Sequence, residues 1–308
     1  MTRVAAPPSR AVRSRLAGVT LLAPTWLVLG VFFLLPLAVI LVISFGRADA
    51  AGGYEPIGDL WHYLRTGEFL DNYRRSLQSD YLLIFWRSTW MAVLTTVLCL
   101  LVSYPVAYYI AVAAPPRLKT VLLLGVVLPF WTSFLIRIYA WQIILRDEGL
   151  VNTALASLHL LREPLRMLDT DFAVMIGLVY GELPFMILPL YASLEKLDRT
   201  LLEASADLGA GTVATFFRVT VPLAMPGLVA GVVLVFVPSV GQFVVSDLLG
   251  GAKSLLAGNL VQTQFVGSGT PGDKPFGSAL AFELMAAVLA LLLAYAVYAR
   301  RRGGEELL

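Results

Sequence analysis

Apolar residues occur in this chain in runs of roughly 20 residues or more, the length that an α-helix needs to cross a lipid bilayer. Of the 308 residues, 58% are hydrophobic and only 14% are charged, and the mean hydropathy is +0.78. A soluble domain carries about 25% charged residues, so this chain is too apolar for that class. The sequence therefore predicts an all-α protein that crosses a membrane several times.

Six membrane-spanning helices are predicted from these runs. They cover residues 19–46, 81–112, 120–145, 172–193, 221–249 and 277–299. The first run follows several arginines, as a signal peptide would, but it is too long for one and no small-residue cleavage site follows it. We therefore expect one transmembrane domain over residues 19–299, between a basic tail at 1–18 and a short tail at 300–308.

The distribution of basic residues predicts the orientation of the chain. Six crossings place both termini on the same side of the membrane, and that side carries 12 Lys and Arg residues against nine on the other. Cytoplasmic loops are the ones enriched in Lys and Arg. Both termini, the 113–119 loop and the 194–220 loop are therefore predicted to be cytoplasmic.

The predicted loop before the fifth span has the pattern of two short helices. Thr200 and Glu203 have the spacing of a capping box, which begins a helix by satisfying its free N–H groups. Gly209 can take the left-handed conformation that ends a helix. Thr212 is predicted to cap a second short helix, and Pro222 suits the first turn of the next span.

This loop resembles the coupling loop of ATP-binding-cassette importer permeases. The family pattern is Glu-Ala-Ala, then Gly after three residues, then Ile-x-Leu-Pro after nine more. This chain keeps the spacing throughout, with Ser in place of the second Ala and Val in place of Ile and Leu. The resemblance assigns contact with an ATPase to six residues: Glu203, Ala204, Ser205, Asp207, Gly209 and Pro222.

The resemblance extends over roughly residues 92–300 and is closest to the permeases of spermidine/putrescine importers. It is carried by FWTSFLIRIYAWQIIL, MIGLVYGELPFMILPLYASLEKLD and VSDLLGGAKSLLAGNLVQTQF. It implies the type I importer fold, with a five-helix core formed by spans two to six and an additional N-terminal helix. It also implies a bacterial inner membrane location, a second related permease, two ATPase subunits and a periplasmic binding protein.

No catalytic chemistry is predicted for the chain itself. The single cysteine lies in an apolar run, the two histidines lack the spacing of metal ligands, and no nucleophile–base pair is recognisable. The segment GGAKS at 250–254 is not a phosphate-binding loop, since that motif needs glycines where this chain has Ala252 and Asp247. We therefore expect no metal site, expect ATP and Mg²⁺ to bind the partner ATPase, and, from a net charge of +2, expect no nucleic-acid partner.

Ionisable and aromatic side chains within the spans are candidates for the transport pathway. Ionisable groups are costly inside a bilayer and mark either a pathway or an internal pair, and aromatic faces attract cations. The candidates are Trp131, Tyr139, Glu182, Phe243, Asp247 and Glu283. A structural alternative stays open, in which Arg137 neutralises Asp247 or Glu283 and the aromatic rings only pack.

Prolines near the middle of three spans predict breaks in those helices, which in a bilayer occur where backbone faces a cavity or a neighbouring helix. They are Pro129, Pro184, Pro189 and Pro238.

Two alternatives for the function stay open. The same fold would serve an importer of opines, amino acids, iron or oxyanions. A secondary transporter is the more distant alternative, since it would not need a loop that docks on an ATPase.

Overall fold

The computed structural model describes residues 23–50, 52–55, 63, 65–160, 163–251, 254–267 and 271–305. These residues are helical apart from loops and one isolated bridge between Arg47 and Glu55. The chain divides into two compact units. The smaller consists of Met1–Arg75 with Gln264–Phe282, and the larger of Ser76–Thr263 with Glu283–Leu308.

The helices are numbered in chain order over the described residues. They are α1 (Ala23–Ser44), α2 (Asp71–Ser76), α3 (Ser79–Ala113), α4 (Pro116–Val127), α5 (Phe134–Ile144), α6 (Leu150–Ser157), α7 (Asp171–Leu194), α8 (Arg199–Asp207), α9 (Thr212–Gly241), α10 (Val244–Leu249), α11 (Ala257–Val266) and α12 (Lys274–Glu305).

Five of these helices are long and apolar enough to cross a membrane: α1, α3, α7, α9 and the Lys274–Tyr295 part of α12. The α4 and α5 helices pass the same test together, as a pair bent by 94°. The described residues therefore hold up to six spans, which agrees with the number predicted from hydropathy when the bent pair is counted as one span.

The bend between α4 and α5 lies at Thr132 and Ser133, three residues after Pro129. A short 3₁₀ turn, Leu128–Trp131, follows α4, and the backbone is extended at Thr132 and Ser133 before α5 begins. Leu128, which precedes Pro129, keeps an α conformation, so the bend comes from the extended residues after the 3₁₀ turn and not from the proline itself. The predicted span at 120–145 is therefore two helices at nearly a right angle rather than one continuous helix.

The prediction that the other three prolines break their spans is wrong. Pro184 and Pro189 lie inside α7, and Pro238 lies inside α9. The predicted fifth span instead breaks after Gly241, where the Gln242 side-chain oxygen accepts the N–H groups of the next two residues. Those two hydrogen bonds satisfy backbone donors at the start of α10, so the chain begins a new helix there.

The core of the larger unit is formed by α3, α7 and α9. The Cys99 thiol donates to the Val179 carbonyl at 3.6 Å, and the Ser103 hydroxyl donates to the Leu183 carbonyl at 3.5 Å. Because the residue numbers rise together on both helices, α3 and α7 run parallel.

The contact between α7 and α9 depends on two glycines. Gly227 lies against the Pro189 carbonyl, and Gly231 lies against Met186. The numbers rise on one helix as they fall on the other, so α9 runs antiparallel to α7. A small residue at each contact lets the two backbones approach closely, as is usual between helices in membranes.

The smaller unit joins the end of α1 to α2 by hydrogen bonds. The Ser44 and Tyr73 hydroxyls lie 2.7 Å apart, and the Asn72 side-chain amide donates to the carbonyls of Ser44 and Gly46 at 2.9 Å each. The α1 helix itself is little covered, since only 6% of its most apolar window is buried within the chain.

Candidate coupling surface and transport pathway

The first helix of the predicted coupling loop, α8, begins at Arg199. The Asp198 carboxylate accepts the Thr200 N–H at 3.0 Å and is the N-cap. The predicted capping box at Thr200 and Glu203 is therefore wrong, since Thr200 already lies in the first turn. A carboxylate in this position both accepts a free backbone N–H and lies at the positive end of the helix dipole.

The end of α8 is the one predicted from the sequence. Gly209 has a φ of +79°, its N–H donates to the Ala206 carbonyl at 2.9 Å, and the Ala210 N–H donates to the Ser205 carbonyl at 3.1 Å. These two bonds form the Schellman motif, in which a left-handed glycine ends the helix. The prediction that Gly209 ends this helix is confirmed.

The second helix of the loop is the beginning of the fifth span. Gly211 is the N-cap, without a side-chain hydrogen bond, so the prediction that Thr212 caps this helix is wrong. From Thr212 the helix continues through a π turn at Phe216–Thr220 and on to Gly241 without interruption. Pro222 follows the π turn and, having no N–H, donates no hydrogen bond into it.

Side chains fix this two-helix loop to itself and to the core. The Ser205 and Thr215 hydroxyls lie 2.8 Å apart and join α8 to the start of α9. The edge of the Phe216 ring packs on Tyr104 of α3, with ring centroids 5.1 Å apart. These contacts attach the loop to the helix core.

The loop carries apolar side chains that nothing in the described chain covers. Their exposed fractions are 45% for Leu201, 89% for Leu208, 71% for Val213 and 65% for Phe217. Among the residues assigned to coupling, Ser205 is half-buried and the others are exposed: Glu203, Ala204, Asp207, Gly209 and Pro222. Exposed apolar side chains rimmed by polar ones are typical of a protein–protein contact. We call the exposed residues of this loop the coupling surface.

Two aromatic candidates for the pathway lie on either side of the bend. Trp131 is 80% exposed at the end of the 3₁₀ turn, and Tyr139 is 48% exposed on α5. The Gln142 side chain donates to the Leu248 carbonyl at 3.1 Å, which joins α5 to α10. Tyr139 is therefore on a helix that contacts the one bearing the carboxylate Asp247.

Asn259 joins two further candidates and was missed by the sequence-based reasoning. Its side-chain amide donates to the Phe243 carbonyl at 3.0 Å and to the Asp247 carboxylate. Asp247 is exposed and Phe243 is 37% exposed. An asparagine within the apolar stretch LLAGNLV is the signal that would have pointed to it.

Arg137 does not neutralise either carboxylate within the described part of the chain. Its guanidinium lies over the rings of Phe130, Phe134 and Tyr180, at 5.0, 5.7 and 6.0 Å from their centroids. Its Nε is buried without a hydrogen-bond partner among the described residues. Aromatic faces therefore hold this cation, and the structural alternative that paired it with Asp247 or Glu283 is wrong.

The two remaining candidates have no hydrogen bond to Asp247 or Asn259 among the described residues. Glu283 accepts a hydrogen bond from the Ser76 hydroxyl and is half-buried. Glu182 is only 5% exposed in the middle of α7, and its Oε2 has no hydrogen-bond partner among the described residues. The structure therefore brings together Phe243 and Asp247 and does not bring Glu182 or Glu283 to them.

Residues 103–303 match the family described as the inner membrane component of binding-protein-dependent transport systems. The spermidine/putrescine transport system permease protein PotB of Haemophilus influenzae is 43% identical over 272 residues, which covers 88% of this chain and 89% of that protein. PotB of Escherichia coli K12 is 43% identical over 270 residues, covering 88% and 92%. The inner membrane ABC transporter permease protein YdcU of the same organism is 34% identical over 238 residues, covering 73% of each chain.

Two solved structures share the fold. A chain of a bacterial ABC transporter that imports the polysaccharide alginate matches with a TM-score of 0.64 at 17% identity, over 94% of this chain and 98% of that one. A chain of an alginate transporter in complex with its pentasaccharide-bound periplasmic protein matches with a TM-score of 0.66 at 14% identity, over 95% and 96%. They confirm the all-helical importer permease fold predicted from the sequence. Because the family match covers more than half of the chain and PotB is 43% identical over most of it, this chain belongs to the binding-protein-dependent transport system inner membrane component family.

Proposed function

We propose that this chain is one permease of an ATP-driven importer of polyamines and forms half of a translocation pore with a second, related permease. The observation that carries the proposal is the coupling loop, a capped two-helix element that exposes apolar side chains and continues directly into α9. The polyamine cargo is supported by the identity of 43% to the spermidine/putrescine permeases over 88% of the chain.

Three kinds of partner complete the proposed importer. Two ATPase subunits dock on the coupling surfaces of the two permeases at the cytoplasmic side, and they alone bind and hydrolyse ATP with Mg²⁺. A periplasmic binding protein delivers the polyamine at the other side. The chain lies in the bacterial inner membrane, surrounded by lipid, with both termini cytoplasmic.

The continuity of the loop with α9 supports a lever mechanism. Closure of two ATPase subunits displaces whatever is docked on them. Since no flexible linker separates Thr212 from Gly241, a displaced coupling surface moves the span with it. Rigid-body motion of packed helices is a common way to carry such a change across a membrane protein.

The proposed pathway uses aromatic faces and carboxylates, because polyamines carry several positive charges. Trp131, Tyr139 and Phe243 offer ring faces to the amines, and Asp247 offers a carboxylate. We include Glu182 and Glu283 as further carboxylates on the same route.

Uptake of radiolabelled spermidine and putrescine tests the function. The chain is expressed with its second permease, ATPase and binding protein in a strain that lacks polyamine uptake, and a complex with an inactive ATPase is the control. We expect ATP-dependent uptake of at least one of the two polyamines. Uptake of an opine, an amino acid, iron or an oxyanion instead would contradict the proposed cargo but keep the importer, and full transport by this chain alone would contradict both.

A further inference from the structure

Three side chains meet where the coupling loop leaves the helix core. The Lys119 ammonium donates to Oε1 of Glu195 at 2.7 Å, and its Nζ lies 5.2 Å from the centroid of the Tyr191 ring. Tyr191 and Glu195 are one helical turn apart, so both present their side chains to the same neighbour. We call Lys119, Tyr191 and Glu195 the clasp.

The clasp lies at a joint of the chain. Glu195 directly follows the last residue of α7, and only two residues separate it from Asp198, the N-cap of α8. Lys119 lies in the first turn of α4, the helix that leads to the 94° bend. One contact therefore joins the start of the coupling loop to the start of the bent span.

The α4 helix is otherwise lightly held. None of its residues from Pro116 to Val127 is buried. Just beyond its far end, the Phe130 ring packs edge-on against Phe185 of α7 at 5.0 Å between centroids. The helix is thus attached to α7 near both ends, by the clasp at one and by an aromatic pair at the other.

The chemistry of the clasp suits a positioning contact. The hydrogen bond from Lys119, and to a lesser extent that from Tyr191, lowers the pKa of the Glu195 carboxyl, so this group stays ionised near neutral pH. The Lys119 and Glu195 side chains are 23% and 47% exposed. An ion pair with this much exposure adds little to folding stability, yet it links the first turn of α4 to the residue that follows α7.

We propose that the clasp is the contact through which a displacement of the coupling loop reaches α4 and, across the bend, the aromatic side chains on α5. This inference rests on the proposed function, since it assigns a path to ATP-driven motion. It gives the bent span its own attachment to the coupling loop, in addition to the direct continuity of the loop with α9.

Charge reversal tests the clasp in the complete importer, reconstituted in proteoliposomes with its binding protein. Polyamine uptake and ATP hydrolysis are measured together for Lys119→Glu, Glu195→Lys and the double variant. We expect each single variant to hydrolyse ATP but to import at least about fivefold less polyamine per ATP, the scale of a typical coupling between sites. The double variant restores the pair in reverse and is expected to return the ratio to within about twofold of wild type.

The control is Arg74→Glu, which reverses one partner of an exposed pair with Asp71 at 3.6 Å in the smaller unit. Its import per ATP is expected to equal that of wild type, and the thermal unfolding temperature of all variants is expected to be unchanged. Wild-type ratios in both single variants, or a double variant as poor as either single, would overturn the inference alone. A wild-type importer without ATP-dependent polyamine uptake would overturn the proposed function and the inference with it.

Discussion

Asp247 combines a structural hydrogen bond with an exposed negative charge. Its carboxylate accepts a hydrogen bond from Asn259 while the side chain remains exposed next to Phe243. An amide at this position could still accept that hydrogen bond through its oxygen. The charge and the structural bond of this residue can therefore be separated by one conservative substitution.

Asp247→Asn is expected to lower polyamine uptake about fivefold or more without changing the amount of folded complex, because the attraction for a polycation is lost while the Asn259 bond is kept. Initial rates of labelled spermidine uptake measure the effect. Asp147→Asn, an exposed carboxylate outside the proposed pathway, is the matched control and is expected to have no effect. A loss of folded protein in Asp247→Asn would support a purely structural role.

Gly227 and Gly125 both lie in helices but differ in the space that surrounds them. A methyl group at Gly227 would meet the Pro189 carbonyl oxygen and the Ser193 side chain, whereas one at Gly125 would meet nothing within 4 Å. The first glycine is required by the close approach of α7 and α9. The second lies on the lightly held α4.

Gly227→Ala is therefore expected to lower the stability of the purified protein by about 1–3 kcal/mol, the usual cost of overpacking a core. Gly125→Ala is expected to raise it slightly, by about 0.5–1 kcal/mol, since alanine favours the helix. Thermal unfolding in detergent compares the two. Equal unfolding temperatures would mean that the contact between α7 and α9 relaxes at no cost.

At the scale of elements, the coupling loop is defined by how its helices begin and end. The Asp198 cap and the left-handed Gly209 give α8 fixed limits, and the Ser205–Thr215 hydrogen bond holds it against the start of α9. Gly209 and Gly211 are both free of steric contact, but only Gly209 has a positive φ. Only Gly209 therefore has a backbone conformation that disfavours a residue with a Cβ.

Gly209→Ala is expected to weaken the end of α8 by about 1–2 kcal/mol, the cost of a left-handed conformation for a residue with a Cβ. We expect import per ATP to fall, because a frayed α8 transmits displacement poorly. Gly211→Ala is the matched control and is expected to behave as wild type. Identical ratios for the two variants would show that the geometry of the Schellman motif is not needed for coupling.

For the molecule as a whole, the directions of the spans decide which loops lie on the same side of the membrane. The α3 and α7 helices run parallel and α9 runs antiparallel to both, so the coupling loop and the 113–119 loop lie at the same end of the core. That arrangement fits the orientation predicted from basic residues.

Cysteine labelling tests this orientation, and the chain suits it because its one natural cysteine, Cys99, is fully buried. Leu208 is 89% exposed and Leu158 is 67% exposed, at opposite ends of the core. An impermeant maleimide added to intact cells with a permeable outer membrane is expected to label Leu158→Cys and not Leu208→Cys. Labelling of Leu208→Cys alone would reverse the topology.

Residue patterns were sufficient to predict the membrane class, the number of spans, the position of the coupling loop and the role of Gly209 as a helix end. Each of these follows from local quantities: the length of an apolar run, the spacing of a motif, or the conformational freedom of glycine. Three-dimensional packing was needed to show that the span containing Pro129 bends, while the helices containing Pro184, Pro189 and Pro238 continue past the proline. It also decided that Arg137 rests on aromatic rings, that Glu182 is enclosed and that Lys119 meets Glu195. These outcomes depend on which neighbouring helix satisfies or excludes a group, and sequence spacing carries no information about neighbours 76 residues away along the chain.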